Sequence, residues 1–279
     1  MPLIGINAWS LPSGLPLRQA FQVAKEAGFD CVEVNLAEEG EVSLQSDEQS
    51  ARRIAEDAAQ CGVKLLSLST GLGWKYPIAA PDPAIREKGF EVVRFQLQVA
   101  KWLGADTVLV VPGVVTPDSS YDAVYRLTLE GLKRLAPEAE RLGVHIGVEN
   151  VWNRFLLSPL EFAQLLDAVD HPHVGAYFDV GNVLTFGYPD QWIRILNTRI
   201  RKVHVKDFRT TIGNISGFCN PAQGDVPWER VRIALHEIGY EGPITAEVEG
   251  YRTLQTLGLK HIAETLRMLF EPRSHGANV

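Results

Sequence analysis

Apolar and polar positions along this chain follow two spacings. Short apolar runs indicate buried strands, and longer stretches with apolar residues at every third or fourth position predict helices. Several predicted helices end at a glycine, a common C-cap, and a short gap then leads into the next apolar run. The predicted strands cover residues 3–6, 31–35, 63–69, 107–111, 144–148, 174–178, 200–205 and 243–248. The predicted helices cover residues 17–27, 46–61, 83–103, 121–142, 159–169, 188–196, 227–238 and 254–270.

Eight strand–helix units fit one closed barrel. A chain of 279 residues divided among eight units gives about 35 residues per unit, which suits parallel strands joined by crossover helices. No linker rich in proline or serine divides the chain. We therefore predict an α/β fold, a single (β/α)8 TIM barrel over residues 1–270, with a patternless C-terminal tail at 271–279. The active site of such a barrel lies at the C-terminal ends of its strands.

The charge, the cysteines and the apolar runs of the chain indicate the class of protein to which it belongs. The net charge of −7 disfavours nucleic acid and anionic membrane surfaces as partners, because no basic field would attract phosphate. The three cysteines, Cys31, Cys61 and Cys219, are scattered without a paired spacing, which is typical of reduced thiols. The N-terminus lacks the features of a signal peptide, and no apolar run approaches the roughly 18 residues of a membrane span. We expect a soluble, cytoplasmic protein.

Four consecutive predicted strands end in side chains that commonly bind metals. These side chains are Glu149, Asp179, His204 and Glu247. Because the carboxyl ends of parallel barrel strands meet at one face, we expect the four to lie close together. Three adjacent carboxylates repel one another, and a divalent cation such as Mn²⁺, Mg²⁺, Co²⁺ or Zn²⁺ would relieve that repulsion. The alternative is an ordinary barrel mouth, in which these side chains form salt bridges with Lys206, Arg209 or Arg154.

Several motifs carry a more specific resemblance. Asp-x-Gly-Asn stands at 179–182, His-x-Lys-Asp at 204–207, and Gly-Asp-Val-Pro-Trp follows at 224–228. With Glu-Asn at 149–150 and Gly-Pro-Ile-Thr-Ala-Glu at 242–247, the chain resembles the xylose-isomerase-like TIM-barrel superfamily. Within it, the sugar-phosphate isomerase/epimerase branch is the most similar, especially the L-ribulose-5-phosphate 3-epimerases and then the ketose 3-epimerases.

The resemblance implies an enzyme of carbohydrate metabolism that contains one divalent metal ion, Mn²⁺ in the first place. Carried over by position, the metal ligands are Glu149, Asp179, His204 and Glu247, and the two glutamates are also the catalytic acid/base pair. Moving a proton next to a ketose carbonyl requires a cation that polarises oxygen and a base positioned near the carbon. Glu249 lies on the same strand face as Glu247 and is the competing ligand.

Further side chains are candidates for binding the substrate. Asn182 and Leu156 stand where the free-ketose epimerases carry a histidine and a glutamate, which favours a sugar phosphate or another substrate. The long segment 209–223 is a candidate lid or phosphate clamp. His171 and His173 are interpreted as structural, at the opposite end of the barrel. The candidate substrate contacts are Asn182, Lys206, Arg209, Trp9, Glu33 and Trp152, the last three placed at strand-end loops or in the barrel mouth.

Other functions stay open from the sequence alone. An aldose–ketose isomerase or a sugar dehydratase would use the same kind of site, and a sugar-binding barrel without turnover belongs to a different class. The apurinic endonuclease IV-type enzymes of the superfamily use extra histidines that this chain lacks, for example at Asn182. The expected partner is a small sugar or sugar phosphate, and a homodimer is possible.

Overall fold

Parallel strands close into a barrel in the computed structural model, which describes residues 2–271. The strands are β1 (Ile4–Asn7), β2 (Cys31–Leu36), β3 (Ser67–Thr70), β4 (Thr107–Val110), β5 (His145–Glu149), β6 (Val174–Asp179), β7 (Ile200–Val205), β8 (Asp207–Phe208), β9 (Phe218–Cys219) and β10 (Ile244–Ala246). The order around the barrel is β1-β10-β7-β6-β5-β4-β3-β2, and β2 pairs again with β1. This topology confirms the predicted TIM barrel.

Helices cover the outside of the barrel and follow the strands in sequence. They are α1 (Leu17–Ala27), α2 (Glu48–Cys61), α3 (Leu72–Lys75), α4 (Pro83–Leu103), α5 (Tyr121–Leu142), α6 (Pro159–Val169), α7 (Pro189–Leu196), α8 (Trp228–Glu237) and α9 (Gln255–Phe270). The predicted glycine caps are confirmed for α1, α2, α4 and α5, whose C-cap glycines all have left-handed φ. Within residues 2–271, no helix is long and apolar enough to cross a membrane.

Two predicted boundaries are wrong for local reasons. The predicted strand 63–69 enters the barrel only at Ser67, because Lys64 makes an isolated bridge to Cys31 before β3 begins. The gap between the predicted strand 63–69 and the predicted helix 83–103 contains α3, and the Thr70 hydroxyl accepts a hydrogen bond from the Leu72 N–H at its start (3.1 Å). The predicted tail 271–279 lies outside the described residues from 272 onward.

The barrel interior is more polar than the layer between strands and helices. Ile4 and Ile6 of β1 are buried in the large apolar core, whereas the alternate residue, Gly5, lies beside Cys31 and Thr245. A methyl group at Gly5 would come within 2.7 Å of the Cys31 sulfur. Small and polar side chains therefore fill the inside of the barrel and leave room for the functional site at one end.

The segment after β7 is a structured excursion over the barrel mouth. β8 and β9 pair as an antiparallel hairpin, and the chain then returns through Gly224 to α8. The fully buried Asp207 carboxylate joins both ends of this excursion. It accepts hydrogen bonds from the N–H groups of Phe208 (2.9 Å) and Val226 (3.0 Å) and from Trp228 Nε1 (2.9 Å).

Removing the Asp207 carboxylate should therefore loosen the excursion. We expect Asp207→Ala to reduce the free energy of unfolding by at least about 3 kcal/mol, because buried donors are left without a partner. Urea denaturation followed by circular dichroism measures the loss. Asp225→Ala is the control in the same segment, since the exposed Asp225 carboxylate accepts from Thr210 alone and should matter much less. Equal losses in the two variants would contradict this account.

Candidate metal centre and active site

The four predicted metal ligands meet at the C-terminal end of the barrel. Glu149 is the last residue of β5, Asp179 ends β6, His204 lies near the end of β7, and Glu247 follows β10. Each offers one ligand atom, and these atoms all lie within 4.8 Å of one another. Glu247 is held there because its N–H donates to the Val205 carbonyl of the neighbouring strand (3.1 Å).

Two asparagines hold Asp179 in place. Asn150 makes a reciprocal pair with the Asp179 backbone, in which its amide donates to the carbonyl and its Oδ1 accepts from the N–H, both at 2.9 Å. The Asn182 N–H donates to Asp179 Oδ1 (2.8 Å), and the Asn182 amide donates to the Asn150 carbonyl (2.9 Å). The Asp179 side chain is therefore fixed by the strand ends themselves.

His204 bridges the cluster and the barrel interior. Its Nδ1 lies 3.4 Å from Glu149 Oε1 and 3.7 Å from Glu247 Oε2, while its Nε2 lies 2.7 Å from Glu33 Oε1. Burial opposes the positive charge on the ring, but the charges of Glu33 and Glu247 outweigh it and raise the pKa of His204 well above its usual value.

Lys206 forms the salt bridges that were predicted as the alternative to a metal site. Its ammonium lies 2.8 Å from Asp179 Oδ2 and 2.5 Å from Glu247 Oε2. Burial opposes its charge, but Asp179 and Glu247 raise its pKa above the usual value. Among the described residues, neither Arg154 nor Arg209 forms a salt bridge with these carboxylates, so that part of the alternative is wrong.

The pKa values of the two glutamates in the cluster are shifted in opposite directions. Burial and then the charge of Glu247 raise the pKa of Glu149 to about 7, although His204 and Lys206 oppose this rise. Burial also acts on Glu247, but Lys206 and His204 outweigh it and lower the pKa of Glu247 to about 2. Burial raises the pKa of Asp179. Two carboxyl groups whose environments separate their pKa values are suited to acid and base roles.

The donor set suits a divalent metal ion. Three carboxylates and one imidazole supply the oxygen and nitrogen ligands that Mn²⁺, Mg²⁺, Co²⁺ and Zn²⁺ accept. Asp179 Oδ2 is buried, and although Lys206 Nζ lies 2.8 Å away, no described donor reaches this oxygen with hydrogen-bond geometry. A metal ion would therefore compete with the Lys206 ammonium for this oxygen. Glu249, the competing ligand, lies outside the group of four.

A cavity of about 660 Å³ opens above the cluster. Glu247 and Lys206 lie at its inner side, and Phe218 lies 5.2 Å from the Lys206 ammonium, measured to the ring centroid. The cavity extends from the cluster along the hairpin excursion and the segment after β10. Its other lining residues are Trp9, Ile215, Ser216, Cys219, Asn220, Gln223, Val248, Glu249, Gly250 and Arg252.

Only some of the predicted substrate contacts line this cavity. Trp9 and Lys206 do, and Trp9 Nε1 approaches Glu247 Oε1 at 3.4 Å. Asn182 is instead buried, and Trp152 donates from its indole to the Asn182 carbonyl (2.8 Å). Arg209 Nε donates to the Gln223 carbonyl (3.0 Å). Asn182 and Trp152 therefore support the wall of the site from behind, and the exposed Arg209 side chain contacts the backbone of its own segment.

The predicted position of Glu33 in the barrel mouth is wrong. Glu33 lies in the middle of β2 with 2% of its surface exposed, below His204 rather than above it. Burial opposes its ionisation, but the charge and hydrogen bond of His204, with help from Ser67 and Tyr177, lower the pKa of Glu33. Its carboxylate is instead enclosed by side chains of the barrel interior, where Oε1 lies 2.7 Å from His204 Nε2.

Sequence reasoning missed several residues of this region. Asn150 follows Glu149 directly, and its place in the Glu-Asn pair at a strand end was a usable signal. Tyr177 precedes Asp179 by two positions and points to the same side of β6, a period-two signal. Ile215 and Phe218 reach the cavity through the hairpin, whose path no local pattern indicates. His171 and His173 lie before β6, and His173 stacks on His145 (4.6 Å between ring centroids), away from the cluster.

Comparisons with known proteins agree with this geometry. L-ribulose-5-phosphate 3-epimerase UlaE of Escherichia coli O157:H7 (strain EC4115 / EHEC) is 26% identical to this chain over 248 residues, which cover 88% of this chain and 86% of that enzyme. Among solved structures, L-ribulose 3-epimerase has a TM-score of 0.80 at 18% identity and covers 97% of this chain and 95% of its own. D-psicose 3-epimerase in the presence of D-fructose has a TM-score of 0.78 at 18% identity, over 96% of this chain and 99% of its own.

The similarity to the solved structures concerns the fold alone. The sequence relatives and the family model confirm the prediction of an enzyme from the sugar isomerase and epimerase group. The sequence model of the xylose isomerase-like TIM barrel matches residues 21–271. That span contains β2 to β10 and all four side chains of the cluster. The chain belongs to the xylose isomerase-like TIM barrel family.

Proposed function

We propose that this protein is a divalent-metal-dependent 3-epimerase of a ketose phosphate, or of a ketose. The observation that carries the proposal is the placement of two glutamates on either side of His204. Glu149 ends β5 and Glu247 follows β10, and β6 and β7 lie between them in the barrel wall. The two carboxylates therefore reach the cluster from different parts of the barrel wall, and Glu247 also lines the cavity. Inversion at one carbon requires such a pair of groups, one for each face of the substrate.

Four side chains would hold the metal ion, namely Glu149, Asp179, His204 and Glu247. Mn²⁺ is the first choice, with Mg²⁺, Co²⁺ and Zn²⁺ as alternatives, because the ligands are mainly carboxylate oxygens. When bound, such an ion polarises the carbonyl and hydroxyl oxygens of a ketose and makes the neighbouring C–H more acidic.

The two glutamates would then move the proton. One carboxylate removes the proton from C3, which leaves a planar cis-enediolate, and the other returns a proton to the opposite face. Each turnover therefore moves one proton from the carboxyl group that supplies it to the carboxylate that removes it, and exchange with solvent restores the pair.

A phosphorylated ketose suits the cavity better than a free ketose does. Leu156 stands where the free-ketose epimerases of the family carry a glutamate, and it is buried with 2% of its surface exposed. It therefore offers no polar contact to a substrate. Lys206 and Trp9 line the cavity, where they provide a cation for an anionic or hydroxyl group and an aromatic face for the sugar. The sequence relative is named for L-ribulose 5-phosphate.

Proton exchange in D₂O tests this proposal directly. The purified protein, loaded with Mn²⁺ or Co²⁺ and then freed of excess metal, is incubated with a panel of ketoses and ketose phosphates, and quenched samples are analysed by NMR. The expected result is deuterium at C3 together with a new C3 epimer, and faster exchange for a phosphorylated member. Deuterium at C1 or C2 with an aldose product would identify an aldose–ketose isomerase instead. Loss of water from a substrate would identify a dehydratase, and binding without exchange would identify a sugar-binding barrel.

A further inference from the structure

A buried carboxylate lies directly behind the proposed metal ligand His204. Glu33 Oε1 is 2.7 Å from His204 Nε2 and accepts a hydrogen bond from Asn7 Nδ2 at 2.6 Å. Its other oxygen, Oε2, accepts a hydrogen bond from the Tyr177 hydroxyl. Tyr177 is itself fully buried and lies 3.1 Å from the Ser67 hydroxyl. Both oxygens of Glu33 are thus held by groups from three other strands, β1, β6 and β7.

Packing alone does not account for a carboxylate at this position. An ionised group inside a barrel costs several kcal/mol unless it is paired and hydrogen-bonded, and an apolar side chain of similar volume would avoid that cost. Among the described residues, His204 is the basic side chain that contacts the Glu33 carboxylate. The buried Glu33 carboxylate is therefore directed at Nε2 of His204, a proposed metal ligand.

We infer that Glu33 is a positioning residue that fixes the imidazole of His204 for metal binding. With Nε2 bound to Glu33 inside the barrel, the ring proton is kept on Nε2, and Nδ1 is the nitrogen turned toward Glu149 and Glu247. A carboxylate in this position also makes the imidazole a stronger donor to the metal. The inference rests on the proposed role of His204 as a ligand.

Tyr177 and Asn7 hold the Glu33 carboxylate in its position beside His204. Each donates to a different oxygen of Glu33, so the carboxylate cannot rotate away from His204 without losing a buried hydrogen bond. The rings of Tyr177 and His204 also pack against each other, with centroids 4.5 Å apart. Removal of the Tyr177 hydroxyl should therefore weaken the same function to a smaller degree.

Metal titration separates this role from a structural one. The variants are Glu33→Gln, which keeps the shape and removes the charge, and Tyr177→Phe, which removes one donor. Isothermal titration with Mn²⁺ should give a dissociation constant about 10- to 100-fold higher for Glu33→Gln and a smaller increase for Tyr177→Phe. Gln96→Met is the control, because Gln96 is a buried polar side chain that donates to the carbonyls of Leu68 and Leu109 and does not contact His204. It should lower stability while leaving the Mn²⁺ affinity unchanged.

A spectroscopic measurement on the unaltered chain keeps the inference testable if a variant fails to fold. In protein labelled with ¹⁵N-histidine and loaded with Zn²⁺, the ring of His204 should carry its proton on Nε2 and the metal on Nδ1. The His204 signals are identified as those that are missing from the spectrum of the His204→Gln variant. The opposite arrangement, or Mn²⁺ affinity of Glu33→Gln equal to that of the wild type, would overturn the inference. If the wild type binds neither metal, the proposed function fails first.

Discussion

Glu247→Gln should reduce turnover by a factor of about 10²–10⁴, the usual range for loss of a general acid or base, while the protein still folds. Gln has nearly the same shape, and the Glu247 side chain is 19% exposed, so the change leaves little strain in the barrel. The amide can neither remove nor return a proton at C3. It also replaces a charged metal ligand with a neutral one, which adds to the loss. Deuterium incorporation at C3 under saturating Mn²⁺ measures the rate, and circular dichroism shows whether the fold is kept.

Glu249→Gln is the matched comparison for this prediction. Glu249 follows two residues later and lines the same cavity, but it lies outside the group of four ligand atoms. We expect it to change the rate far less than Glu247→Gln does. If Glu249→Gln caused the larger loss, the roles assigned to Glu247 and Glu249 would be reversed. Turnover of Glu247→Gln within tenfold of the wild type would remove Glu247 from the proton transfer altogether.

The fold could be predicted because each unit carries its own local signal. Helices α1, α2, α4 and α5 end at glycines, and the strands between them are short apolar runs. The ligand cluster could be located for a related reason. A residue at the carboxyl end of a parallel barrel strand lies at the same face as every other such residue, so strand ends alone bring Glu149, Asp179 and His204 together.

Depth along the barrel axis could not be predicted in the same way. Glu33 and His204 both belong to strands with period-two alternation, and alternation states only that a side chain points inward. How far below the mouth it lies depends on the tilt of the strands and on the register between them. That register is set by long-range packing. Glu33 was therefore predicted as a substrate contact and lies instead beneath a proposed metal ligand.

The excursion after β7 shows a second limit. Arg209 was a candidate phosphate contact because it is a basic residue near the start of a long loop. In the structure Asp207 joins the two ends of that segment, and the resulting hairpin directs Phe218 toward the cavity while Arg209 contacts Gln223. A single buried carboxylate with three donors thus decides which side chains face the substrate. No local pattern reports contacts between residues so far apart in sequence.

Asp179→Asn should lower the affinity for Mn²⁺ by more than about 100-fold, beyond the range for residues that only support a ligand. Asp179 Oδ2 is a buried carboxylate oxygen of the cluster, and the substitution either neutralises it or replaces it with an amide nitrogen. The backbone hydrogen bonds from Asn150 do not depend on the side chain, so the strand ends should keep their positions. Isothermal titration measures the affinity. A second readout is the rise in melting temperature on adding Mn²⁺, which the wild type should show and the variant should lack.

Asp190→Asn provides the same chemical change at a buried aspartate far from the cluster. Asp190 is 1% exposed and pairs with Arg194 (2.8 Å) and Arg230 (2.9 Å). Its substitution should lower stability, yet the shift of melting temperature with Mn²⁺ should equal that of the wild type. Equal Mn²⁺ affinity for Asp179→Asn and the wild type would mean that the cluster of carboxylates is held together by Lys206 rather than built for a metal ion. Loss of the Mn²⁺ response in Asp179→Asn alone would instead assign the buried oxygen to the metal, because both variants carry the same chemical change at a buried aspartate.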